Sequence, residues 1–78
     1  RSILYFFNTL IKLTKTELEV LGAIAEGKSY QEISDIRFIE INTVRKIASN
    51  ILKKFDAASM KELVSILKEN GVMDLLHL

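Results

Sequence analysis

The 78-residue chain has no cysteine, no proline and no tryptophan, only three glycines and a single histidine. Without cysteine there is no disulfide framework and no thiolate metal site. Without proline, and with glycine this scarce, a hairpin-rich β fold is a poor match and an all-helical chain is favoured. The one histidine, His77, stands beside the C-terminus. No nucleophile–base pair can be assembled without it and no metal constellation is visible, so neither an enzyme with a small-molecule substrate nor a cofactor is expected. The apolar stretch ILYFFNTLI at 3–11 is too short to span a bilayer, and no secretory signal is visible.

What is present suits one small folded domain: 49% of residues are hydrophobic and 27% charged. The net charge is only +1, low for a free-standing nucleic-acid binder. Its distribution is uneven. Residues 41–61 carry Arg45, Lys46, Lys53, Lys54 and Lys61 against Asp56 alone, whereas 1–40 and 62–78 are each slightly acidic. A local basic patch steers toward phosphate even when the sum is near zero.

Helix signals recur along the chain. Residues 3–11 repeat apolar groups at three- and four-residue spacing, so we expect a linker or N-terminal helix over 1–12, serving as an extra core element or as an interdomain or dimer contact. Thr14 with Glu17 makes a capping box, and Leu13 with Leu18 can staple it. Leu18, Leu21, Ile24 and Ala25 supply an inward stripe with Val20 on its border, and Gly27 stops that helix. Ser29 with Glu32 opens a short helix whose Ile33 and Ile36 face inward, ending near Arg37. Phe38, Ile39 and Ile41 make an apolar connection that we expect to be partly buried. Ser59 with Glu62 opens a last helix carrying Leu63, Ile66 and Leu67, and Gly71 ends it. The tail VMDLLHL is apolar again, fit to cover the N-terminal helix or to meet the same tail on another copy.

Between these lies the stretch that organises the chain. Asn42 is a good N-cap and Glu40 a poor one, so a helix is predicted to start between 41 and 43 and run to about Phe55. At about 100° per residue Val44, Ala48, Ile51, Leu52 and Phe55 share one side, with Ile47 on its flank. Asn42, Lys46, Ser49, Asn50 and Lys53 fall opposite, with Arg45 and Lys54 at the edges. One side belongs in a core. The other offers cations and amides, and an α-helix fits the major groove of DNA. The free N–H groups of its first turn, helped by Thr43, suit a backbone phosphate.

In order and in register, these landmarks resemble the LuxR-type helix-turn-helix, the output domain of many bacterial response regulators and quorum-sensing regulators. The family pattern LTxxExEVL stands here as LTKTELEVL at 13–21. It continues through Gly27, Ser29, Glu32 and Ile33, then Ile39, Thr43, Val44, Asn50, Ile51, Lys53 and Lys54, and closes at Ser59, Glu62 and Leu63. The resemblance implies an all-α fold of four helices over 13–78, joined here by the segment 1–12. It implies sequence-specific binding of double-stranded DNA, with the recognition helix at about 42–55 in the major groove. Arg45, Lys46 and Ser49 would face the bases, and Thr43, Asn50, Lys53 and Lys54 the phosphates. It further implies a homodimer through the last helix and the apolar ends, and a cytoplasmic regulator. Because the chain starts at Arg1, we expect a fragment whose N-terminal regulatory domain (a receiver, ligand pocket or membrane sensor) is missing.

Three positions depart from the pattern. Ile47 replaces a usual histidine, Arg37 a buried leucine and Glu40 a Ser or Thr cap. Arg37 predicts a rotated or shortened second helix. Two other readings compete: region 4 of a sigma factor, and a helical interaction module that has lost DNA binding.

Overall fold

The computed structural model describes residues 2–77, with side chains through Asp74. In order these residues form α1 (Ile3–Leu10), α2 (Lys15–Ala25), α3 (Tyr30–Arg37), α4 (Ile41–Phe55), α5 (Met60–Glu69) and a terminal 3-10 helix (Val72–His77). The expected four helices and an additional N-terminal one are present. No strand occurs among the described residues, and no described helix is long and apolar enough to cross a membrane.

Side-chain caps set where the helices begin. Thr14 Oγ1 accepts from the Glu17 N–H at 3.1 Å while the Glu17 carboxylate accepts from the Thr14 N–H at 2.8 Å. Ser29 and Glu32 repeat the exchange at 3.1 and 2.9 Å. The third box forms only by half, with Ser59 accepting from the Glu62 N–H at 3.2 Å. Ser2, unforeseen from the sequence, caps α1 by accepting from the Tyr5 N–H at 3.3 Å. Gly27 closes α2 at φ 94°, with its own N–H on the Ile24 carbonyl and the Lys28 N–H on that of Ala23.

Packing holds the helices together. Val20, Leu21, Ile33, Val44, Ile51, Leu63, Leu67 and Val72 are fully buried in one cluster. Each such side chain contributes up to about 1.5–3 kcal/mol. A cap contributes only about 1 kcal/mol, so caps choose the helix ends and the core chooses the fold.

Two expectations about inward residues fail. Val20 is completely buried rather than bordering the stripe, because α3, α4 and the 3-10 helix all pack on α2 and widen its buried arc. Ile36 is 59% exposed. The inward arc of α3 runs over Ile33, Ser34 and half-buried Arg37, which leaves Ile36 on its outer edge. The helix ends at Arg37, where the sequence places its end, and half-buried Arg37 lies on the inward arc and reaches Glu19 of α2 at 2.6 Å.

The N-terminal helix has two roles on two faces. Phe6 and Leu10 are buried, Phe6 stacks on Phe55 at 6.3 Å, and the Tyr5 hydroxyl donates to the Phe55 carbonyl at 2.8 Å. Its outer face leaves Ile3, Leu4, Phe7 and Ile11 exposed. At the other terminus Val72 and Met73 are buried, and the 3-10 helix packs on α1, α2 and α5. The apolar tail thus does meet α1 of its own chain, while the side chains of residues 75–78, His77 among them, lie outside the described residues.

Candidate nucleic-acid interface

Helix α4 is held by one side and free on the other. Val44, Ala48, Ile51 and Phe55 are buried, at three- and four-residue spacing. The seven residues singled out on the opposite arc, Thr43, Arg45, Lys46, Ser49, Asn50, Lys53 and Lys54, are all exposed. Ile47 is half-buried against the core, so its side chain belongs to the flank rather than the outer arc. Arg45 donates to the Asn42 side-chain oxygen at 2.9 Å, which ties two groups of the outer surface together.

The helix begins at Ile41, with Glu40 in the cap position. Asn42 is therefore inside the first turn and is not the cap. Glu40 makes no side-chain cap bond, and the first turn holds no acidic residue. The early N–H groups of α4 thus keep their partial positive charge without a side-chain carboxylate on them.

The corner ahead of α4 is tightly built. Phe38 takes the left-handed conformation, φ 57° and ψ 43°. For a bulky L-residue this costs about 1–2 kcal/mol. The Ile39 N–H donates to the Ser34 carbonyl at 3.1 Å, and the buried Ser34 hydroxyl donates to the Ile39 carbonyl at 2.6 Å. The apolar connection expected to be partly buried is so: Ile39 and Ile41 are half-buried, while Phe38 is 93% exposed.

The far end of α4 carries Lys53 and Lys54 in its last turn, where cations suit the helix dipole. They are employed differently. Lys54 donates to the Glu17 carboxylate at 2.7 Å, across 37 positions of sequence. Glu17 is buried and uses the same Oε1 atom to accept from Thr14. Burial works against its charged form, but Lys54 and Thr14 outweigh it and hold the carboxyl below its ordinary range. A residue that the sequence explained as a cap is therefore also the anchor of α4 on α2. Nothing in the linear pattern announces that partner, since Lys54 reads simply as the edge of a basic arc. Between α2 and α3, Arg37 similarly holds the Glu19 carboxyl low.

Helices α2, α3 and α4 pack into a three-helix frame that presents one exposed polar arc, on which Arg45, Lys46 and Lys53 make no ion pair among the described residues. Such an arc can bind a polyanion through cations and offer hydrogen-bond donors to base edges.

Comparison with known proteins points the same way. The family described as "Bacterial regulatory proteins, luxR family" matches residues 12–67. The transcriptional regulatory protein LiaR of Bacillus subtilis is 52% identical over 46 residues, which is 59% of this chain and 22% of LiaR. The virulence factors putative positive transcription regulator BvgA of Bordetella pertussis is 36% identical over 66 residues, 83% of this chain and 32% of that protein. The oxygen regulatory protein NreC of Staphylococcus carnosus is 34% identical over 62 residues, 80% of this chain and 29% of NreC. The chain thus spans under a third of the length of these relatives. No solved structure matches it significantly.

Proposed function

The chain belongs to the luxR family of bacterial regulatory proteins, and from that premise we propose that it binds DNA in a sequence-specific manner as the output domain of a transcription regulator. The observation that carries the reading is the two-sidedness of α4: four buried apolar residues on one arc, and all seven candidate contacts exposed on the other. In this reading α3 and α4 are the two helices of the motif, and α4 lies in the major groove with its N-terminal half toward the bases. Arg45, Lys46 and Ser49 face base edges. Thr43, Asn50 and Lys53 meet phosphates, which fix register without reading sequence. Lys54 contributes chiefly through Glu17, by holding the last turn of α4 against α2. The family match and the α5 helix favour this assignment over region 4 of a sigma factor.

The full regulator acts in the cytoplasm as a homodimer on paired half-sites, with a regulatory domain N-terminal to this segment. Relatives of which the matched stretch is only 22% and 32% support that additional domain. The exposed apolar face of α1 supports association through that end, whereas the described exposed residues of α5, Lys61, Glu62, Ser65, Lys68 and Glu69, are polar.

The test is an NMR titration of the labelled chain with a random-sequence pool of short duplexes, at low salt and at roughly 200 mM. The expected result is shifts concentrated in residues 42–54 and in the corner just ahead of them that fade as salt rises. Unmoved resonances there at low salt would overturn the DNA-binding reading and favour the helical interaction module, with a protein partner at the apolar ends.

A further inference from the structure

Three helix corners in this chain close with the same hydrogen bond, from the N–H one residue beyond a left-handed residue to the carbonyl five positions back. The pairs are Lys28 to Ala23, Ile39 to Ser34 and Ala57 to Leu52. The left-handed residues are Gly27, Phe38 and Asp56. Glycine adopts that conformation freely, and aspartate tolerates it. Phenylalanine does neither, and at position 38 its ring gains nothing from the fold, being 93% exposed. A strained backbone carrying an unburied aromatic group is unfavourable twice over. Neither feature helps the domain to fold.

The corner is also the wrong place for a solvated ring by accident of chain geometry alone. Phe38 stands three residues ahead of Ile41, the first residue of α4, and the bonds between Ser34 and Ile39 fix the backbone that carries it. In a helix-turn-helix the N-terminal end of the second helix enters the groove and the first helix crosses the backbone. The turn between them therefore rides on the edge of the groove. The groups presented there to an apolar ring are deoxyribose carbons and the C5-methyl of thymine, and phenylalanine is a known partner of that methyl.

We propose that Phe38 is a DNA-contacting residue, packing its ring on a thymine methyl or a deoxyribose at the rim of each half-site. The inference rests on the DNA-binding reading above and deepens it by adding an apolar contact to a polar arc. Its partner is a duplex rather than a protein because Phe38 stands just ahead of the start of α4, the helix that carries the exposed cations Arg45, Lys46 and Lys53, with Glu40 as the one acidic group between them. An apolar contact of this kind adds affinity without releasing counterions, so it leaves a distinct signature.

The experiment begins by selecting a tight-binding duplex from a random-sequence pool with the 78-residue chain. Binding of that duplex is then compared for the natural chain, Phe38→Asn and Phe38→Tyr across a salt series. Asparagine accepts the left-handed conformation, so Phe38→Asn is expected to melt at the same temperature or higher. Its affinity is expected to fall about fivefold with the salt slope unchanged. Phe38→Tyr is expected to keep the natural affinity. Replacing thymines one at a time by deoxyuridine identifies the source of the contact. If a single uracil weakens the natural chain but not Phe38→Asn, the partner is a thymine methyl. If no uracil matters although Phe38→Asn binds weakly, the partner is a sugar. A Phe38→Asn chain that binds the selected duplex as tightly as the natural one overturns the inference and leaves the DNA-binding reading intact. Failure of the natural chain to enrich or bind any duplex overturns both.

Discussion

The corner between α2 and α3 and the corner between α3 and α4, whose left-handed residues Gly27 and Phe38 stand eleven positions apart, are built on opposite principles. At the first, Gly27 takes the left-handed turn without strain, and Ser29 and Glu32 cap the next helix reciprocally. A Lys28–Glu26 ion pair at 2.7 Å decorates it. At the second, a phenylalanine is forced into the same backbone conformation, and the next helix starts at Glu40 with no side-chain cap. The first corner gains whatever local stability its residues can supply. The second forgoes a cap of about 1 kcal/mol and accepts strain of similar size. Natural sequences tend to break local rules where function competes with folding. The contrast therefore marks the second corner, and the start of α4, as the part of the motif shaped by something other than the fold.

The comparison can be broken most severely at Gly27. Gly27→Val puts a β-branched residue at φ 94°, and is expected to cost about 2 kcal/mol. In a domain this small that lowers the melting temperature by about 8–16 °C, readable by circular dichroism. Duplex affinity measured well below the new midpoint should not change. A loss of affinity there would mean that the first corner, too, touches DNA.

The two terminal lysines of α4 extend the contrast to its other end. Lys54→Ala leaves the buried Glu17 carboxylate with Thr14 but without its cation. About 1 kcal/mol of stability should be lost, a figure held down because the Lys54 ammonium is itself over a third exposed. Lys53→Ala should leave the melting temperature unchanged and lower the salt slope of binding by about one. Identical behaviour of the two variants in both measurements would erase the distinction drawn between anchor and phosphate contact.

Exchanging the caps sharpens the comparison from both sides. Ser29→Ala is expected to destabilise by about 1 kcal/mol, and Glu40→Ser to stabilise by about 0.5–1 kcal/mol, by urea unfolding. Glu40→Ser should also strengthen duplex binding slightly, since it removes a carboxylate from the entry to the groove. If Glu40→Ser weakens the fold, the second corner is not short of a cap.

The smallest effect is one of pH. Glu17, Glu19 and Glu32 all have carboxyl groups held below the ordinary range. For Glu17, the Lys54 and Thr14 hydrogen bonds outweigh burial; Glu19 is held by Arg37, and Glu32 by the Ser29 N–H and hydroxyl. A carboxyl lowered in the folded state favours folding above its unfolded value. That contribution disappears as pH falls through the lowered value. Stability should therefore be flat near neutrality and decline on acidification below about pH 4.5. Glu32→Gln should shallow the decline by removing the first corner's share. A melting temperature unchanged between pH 7 and pH 3 would contradict these pairings.

Much of the architecture follows from local chemistry, and so is written in the chain. Thr14–Glu17 and Ser29–Glu32 cap helices because those atoms meet within one turn whatever surrounds them. Gly27 ends α2 for the same reason, and the apolar period of α4 separates buried Val44, Ala48, Ile51 and Phe55 from the seven exposed candidates. The tertiary structure decided what depends on a neighbour distant in sequence. It buried Val20 by packing α3, α4 and the terminal 3-10 helix on α2, and left Ile36 outside because only one edge of α3 is covered. It set Arg37 against Glu19 where a leucine was expected, turned Lys54 to Glu17, and made the N-terminal segment part of the core through Phe6 and Phe55. Periodicity shows how a helix divides its faces. How wide the buried arc is, and which cation finds a carboxylate, depend on what packs beside it, and that information is shared among residues that meet only when the chain has folded.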